Sequence, residues 1–293
     1  MDKEAGKHSF FYGLEGVYNK VHSRAYLKDI TTEARQEYAS RYPDGSEYAY
    51  ASAYLAWKYH INSRFILNAG VRMNQHLLRA RFDTTFYPFP FRDMELQHAA
   101  ANGNLGLVYK NARGWHIAAN LASGFKAPNI DDAGKVFDSE PGTVIVPNRN
   151  LQSEYAWNGE LRLAKSWMDK HQVEVAGFYT LLEDAMVRRE FTFSGKDSIM
   201  YDGQLSQVKA LVNADRARVY GLQLAGKMQL GRQWYLTGHL NWIRGQTKDG
   251  TPMRHVAPLF GDMHLQWMPG KLRLDAFLKF NGKKPHNRMA PSE

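Results

Sequence analysis

WNGELRLAKSW, Trp157 to Trp167, is the stretch that decides how this chain folds. Trp157, Leu161, Leu163 and Trp167 share one phase of a two-residue period, and Asn158, Glu160 and Arg162 hold the other. That is a β-strand with one face in an apolar medium and one in water. Its two indoles are ten residues apart, which at strand rise and membrane tilt is about 23 Å of height. Indole rings gather at membrane–water interfaces, where ring and N–H are both satisfied. Lys165 has the apolar phase but lies beside Trp167, where its ammonium can snorkel to the interface.

The same pattern recurs outward from this strand. In Trp234–Ile243, Trp234, Leu236, Leu240 and Trp242 oppose Tyr235, Thr237, His239 and Asn241. In Lys271–Asn281, Leu272, Leu274, Ala276, Leu278 and Phe280 oppose Arg273, Asp275 and Lys279. Eleven strand segments are read, at 8–29, 46–60, 64–82, 96–110, 115–126, 153–167, 172–191, 207–230, 234–248, 257–269 and 271–283. Their connections alternate between short turns, such as Asn111 to Gly114, and long loops at 30–45, 83–95, 127–152, 192–206 and 249–256. Trp57, Trp115, Trp167, Trp234 and Trp267 all lie near short turns. Short turns on one side, long loops on the other and aromatic girdles describe an outer-membrane barrel. A soluble β-sandwich serving binding or adhesion is the alternative, but core tryptophans there need not gather beside one class of turn.

The totals agree. Of 293 residues, 44% are hydrophobic and 13% aromatic, yet the mean hydropathy is −0.52. No apolar run is long enough for a membrane helix, and a barrel strand leaves none. The chain has no cysteine, so it has neither disulfides nor thiolate metal sites. The start, Met1 to His8, has no apolar core and is not a signal peptide. The net charge of +9 is spread singly through the alternation, without the basic clusters that nucleic-acid binding needs. Bacterial barrels close with an even number of strands, so eleven strands and the loop-like ending Met289–Glu293 lead us to expect a partial wall.

Three motifs raise a family. Phe125-Lys126-Ala127-Pro128, then Pro147-Asn148 with Asn150-Leu151, then Asn213 through Tyr220-Gly221 follow one another along the chain. They resemble, in order, boxes of TonB-dependent outer-membrane receptors, with Lys126, Ser153 and Gln223 departing from the usual Arg, Pro and Glu. The resemblance is closest to receptors of Bacteroidetes type. It implies an all-β, antiparallel transmembrane β-barrel of about 22 strands, of which residues 1–293 are a part, the plug domain being absent. It also implies a place in the cell outer membrane, against lipid. The expected function is energy-coupled uptake of a scarce nutrient, a ferric siderophore before haem, with the TonB complex engaged through the missing plug segment. Haem receptors of the family commonly carry a histidine between the first two boxes, and residues 129–146 contain none.

The residues themselves read more plainly. Pro128 and Pro147 sit at loop edges, where a missing N–H costs no ladder bond. Asn148 and Asn150 can form local turns. The polar phase carries Lys58, Arg72, Arg162, Lys227, Arg273 and Lys279 against Glu160, Glu174 and Asp275, which pair with one another or attract anions. Candidate ligand contacts are Arg188 and Arg189, Arg254 and His255, and the stiff aromatic loop Phe86, Tyr87, Phe89 and Phe91. That loop either grips a ligand or folds onto its neighbours. His76, His98 and His255 are the histidines near outer ends. Asp131-Asp132 is a weak calcium motif. No catalytic motif is present, so neither an enzyme nor a resident metal or cofactor is expected.

Overall fold

The computed structural model describes residues 2–87, 89–213 and 216–290. Pro88 of the aromatic loop, two residues of the 207–230 segment and residues 291–293 lie outside them. The wall strands are β1 Asp2–Ala5, β2 His8–Val21, β5 Ser46–His60, β6 Phe65–Arg81, β7 Asp93–Lys110, β8 Trp115–Lys126, β11 Glu154–Trp167, β12 His171–Glu183, β16 Ala217–Leu230, β17 Trp234–Thr247, β18 Phe260–Trp267 and β19 Leu274–Asn281. They form one twelve-stranded sheet in chain order, and every neighbouring pair is antiparallel. The connections within the wall alternate, turn then loop. β3 Ala25–Lys28 and β4 Arg35–Tyr38 form a separate hairpin in the first long loop. β9 Phe137–Glu140, β10 Thr143–Ile145, β13 Met186–Glu190, β14 Ser198–Tyr201 and β15 Gln204–Asn213 form a second sheet of five strands.

Four expected boundaries change. The count is twelve rather than eleven, because the four residues of β1 pair with β2. The 8–29 segment breaks at Val21, the last residue paired with β5, and the Ser23 N–H turns to Asp44 Oδ1 at 2.9 Å. The 172–191 segment breaks after Glu183, at Asp184, whose φ is +56°. The 207–230 segment divides between β15 in the outer sheet and β16 in the wall. In each of the last three cases the alternation continues while the partner strand changes, so periodicity could not mark the break.

The short turns are written in side-chain chemistry. Asn111 Oδ1 accepts from the N–H groups of Arg113 and Trp115. Gly114 closes that turn with φ +78°, where a Cβ would lie 2.0 Å from the Ser166 carbonyl oxygen. Asn62 Oδ1 caps Arg64 and Phe65 in the same way.

Rings line the wall at this turn end. His8, Trp57 and Tyr59 stack, Phe65 meets Tyr109, and Trp234 stacks on Trp267 at 5.8 Å. Lys165 Nζ lies 4.9 Å over the Trp115 ring. Between this girdle and the outer rings the apolar phase is bare: Leu121, Leu161 and Leu222 are each more than half exposed. No helix here is long and apolar enough to cross a membrane. The opposite face carries charged pairs. Arg72 bonds Glu15 at 2.5 Å, and Arg162 reaches Glu174 at 3.0 Å and Glu160 at 3.3 Å. His239, Asp262, His264 and Asp275 continue such contacts across β17 to β19.

Candidate functional site

The long loops are knitted together rather than loose. β10, from the 127–153 loop, lies parallel to β15, from the 184–216 loop, with Val144 opposite Val208. Parallel pairing needs a long crossover, and here one arises from two separate loops. Val144, Val146, Phe193, Val208 and Ala210 form its buried core.

The motif residues hold the base of this sheet. Asn148 is 7% exposed; its Nδ2 donates to the Leu211 carbonyl at 2.7 Å and its Oδ1 accepts the Asn150 N–H at 2.9 Å. Asn213 Oδ1 accepts the Gln152 N–H at 2.7 Å, and its Nδ2 donates to the carbonyls of Gln152 and Asp184. One asparagine thus joins three segments. Leu151 is fully buried in a cluster with Leu78, Met94 and Leu96. Ala127 and Pro128 are buried, and Asn129 caps the short helix α1, Ile130–Ala133, in a capping box with Asp132. Phe125 meets the His76 ring edge-on at 5.2 Å. Asn213→Ala leaves the Gln152 N–H unpaired, at a local penalty of about 1–3 kcal/mol. Amide exchange across 143–152 and 204–212 is expected to speed up about tenfold or more, with the exchange of β11 and β12 unchanged.

The aromatic loop folds onto this base. Phe89 packs against both buried clusters, with ring contacts to Phe82 at 4.9 Å and Phe193 at 5.8 Å. Tyr87 stacks on Tyr201 at 5.5 Å, and the Arg149 guanidinium lies over Phe91. Phe86, 40% exposed, meets Tyr38. Of the four, Phe86, Tyr87 and Phe89 line an open cleft of about 300 Å³, together with Arg24, Tyr38, Arg41 and Tyr42. The Tyr38 hydroxyl donates to Asp202, which pushes the phenol up to about 12. Burial first, then Tyr201 and Asp202, raise the Tyr87 phenol. Burial acts to raise Asp131, but bonds from Lys135 and Tyr42 outweigh it and hold that carboxyl below its ordinary value.

Asp131 and Asp132 are both engaged by the chain's own groups. Asp132 caps α1 and bonds Lys126 at 3.0 Å. Among the described residues no group of three or more His, Asp or Glu side chains is arranged to hold a metal. Arg188 and Arg189 are exposed neighbours on β13, so they point to opposite faces and do not form one clamp. Arg254 and His255 lie in a different loop, exposed, with His255 at φ +59°. His76 and His98 face each other across β6 and β7. Tyr48 bonds His76 Nδ1 at 2.8 Å, and both Nε2 atoms are buried without a partner. The outer sheet escaped the sequence because four of its five strands have five residues or fewer, but Asn148 and Asn213 both lay in quoted motifs.

A family model for the TonB-dependent receptor-like β-barrel matches residues 2–286. Two curated relatives, both named hemoglobin-haptoglobin utilization protein B, come from Neisseria meningitidis serogroups C and A. They are 28% and 30% identical over 237 and 238 residues, 71% of this chain and 29% of each relative. The chain thus spans less than a third of the length of these relatives. Among solved structures, copper transporter OprC superposes with a TM-score of 0.78 at 16% identity, covering 99% of this chain and 42% of that one. The Serratia marcescens hemophore receptor HasR gives 0.70 at 14%, covering 95% and 49%. The register of the wall, the outer loops and the match along nearly the whole chain agree, and the protein belongs to the TonB-dependent receptor β-barrel family.

Proposed function

We propose that this chain is part of an outer-membrane barrel of about 22 strands that imports an iron-bearing nutrient. A plug would lie within the barrel, and the TonB complex would act through it. Haem iron taken from a protein carrier is favoured over a ferric siderophore. The observation that carries this is the knitted outer sheet. The cleft among its loops is about 300 Å³, at the low end of the roughly 300–1,000 Å³ of small-ligand sites. A broad rigid surface suits a protein, which needs about 800 Å² on each side. The haemoglobin-related names of the relatives point the same way. A siderophore remains the second reading, favoured by the aromatic lining of the cleft.

The test is growth of a strain deleted for the whole gene on single iron sources. Loss of growth on haemoglobin, with growth on ferric siderophores retained, is expected. The reverse pattern restores the siderophore reading. Unchanged growth and uptake on every iron source retires iron as the cargo.

A further inference from the structure

The inward faces of β6 and β7 bring two histidines together beneath the outer loops. His76 lies directly opposite His98 on the neighbouring strand. His76 has the phase of Arg72, so the pair stands on the charged, inward face. Toward the loops the next pair on this face is Leu78 with Leu96, both buried; the other way it is Asn74 with Ala100. These flanking pairs hold no carboxylate. Arg72, further along β6, is bonded to Glu15 at 2.5 Å.

Directly opposite side chains on one face have Cβ atoms about 4.5–5.5 Å apart, so the two imidazoles are neighbours. A charge on His98 is felt at His76. Each ring has its Nε2 buried without a hydrogen-bond partner, and the two Nε2 atoms do not bond each other. An unpaired buried nitrogen is costly, and here two stand side by side. The His76 ring is held in place: Tyr48 Oη lies 2.8 Å from its Nδ1, Tyr50 stacks on it at 5.2 Å, and Phe125 meets it edge-on at 5.2 Å. When Nδ1–H donates to the Tyr48 oxygen, Nε2 carries a free lone pair, which is the form a metal ligand takes. Nitrogens about 2.0–2.1 Å from one ion stand roughly 3–4 Å from each other. That spacing fits neighbouring nitrogens that make no mutual hydrogen bond. Imidazoles without carboxylates suit late first-row dications, not the calcium and magnesium that take oxygen ligands.

We propose that His76 and His98 bind one late-transition-metal dication, such as copper(II), through their two Nε2 atoms. Two protein ligands leave the other coordination positions to water or to donor atoms that a ligand brings. The site is distinct from the loop cleft, whose lining contains neither histidine. It does not depend on iron being the cargo.

The experiment uses the whole protein that carries this chain, in detergent, with copper(II) as the probe. Pulsed electron paramagnetic resonance counts the imidazoles on each bound ion. The difference between the unaltered protein and His76→Gln/His98→Gln isolates this site from the other histidines. One copper equivalent carrying two imidazoles is expected in that difference. Each single variant should weaken the same equivalent by at least the roughly tenfold that loss of a supporting partner costs a metal site. Unchanged heat-dependent gel mobility shows that the variant barrels are intact. A double variant that binds as much copper as the unaltered protein overturns the site, as does a lost equivalent that carries one imidazole. In the unaltered protein by itself, the absence of any copper with two imidazoles overturns it too, whether or not the variants fold.

Discussion

Phe89→Ala is expected to remove about 3–5 kcal/mol from the packing of the outer loops, the largest effect of any single change in them. The ring is shared between two buried clusters, one beneath the aromatic loop and one inside the outer sheet. Its contacts with Phe82 and Phe193 join β6 to the 184–216 loop. Protease cleavage should then appear within 83–91 and 191–203, while the wall keeps its resistance and its heat-dependent gel mobility. A variant whose loops stay protected but which fails to bind cargo would instead make Phe89 a ligand contact. Phe86 is the matched control: it is 40% exposed and lines the cleft, so its replacement should leave the loops ordered.

The second large effect concerns the wall. Leu161 is 59% exposed and lies between Trp157 and Trp167 on the apolar phase of β11. Leu161→Arg places a guanidinium near mid-membrane, where it destabilises a barrel by about 2–4 kcal/mol. Asn158→Arg, on the polar face of the same strand, should change stability by less than about 1 kcal/mol, in line with a solvated surface. Unfolding in urea with the protein in bilayers measures both. Equal losses would mean that the two faces do not differ in medium, and a larger loss for Asn158→Arg would mean that they have been exchanged.

The wall was legible because its physics is local. Period two and asparagine turns mark seven strand starts to within one residue, from His8 to Trp234. Some of the charges expected to pair on the polar face do so, as Arg162 does with Glu160 and Glu174. The missed features all depend on partners distant in sequence. Thr143–Ile145 is three residues long and pairs with residues more than sixty positions away, so no window of sequence announces it. β3 hid inside a segment whose alternation merely continued, and its hairpin partner β4 inside the 30–45 loop. At the site, Asn148 was legible as a turn former, since its Oδ1 serves Asn150 two residues on. Asn213 was legible only as part of a motif, because two of its three bonds cross 61 residues to Gln152. The aromatic loop had two readings, and only packing shows that Phe89 joins two buried clusters while Phe86 stands exposed in the cleft that both line.

The central claim is that one face of this sheet meets lipid and the other water. The chain contains no cysteine, so single cysteines can be placed at each position from 157 to 167 and spin-labelled in bilayers. Collision with oxygen, which favours lipid, and with a water-soluble nickel complex is then measured at every site. The account predicts a two-residue oscillation, with oxygen highest at 159, 161 and 163 and nickel highest at 158, 160 and 162. A flat profile, or one in which both probes rise together, would contradict it.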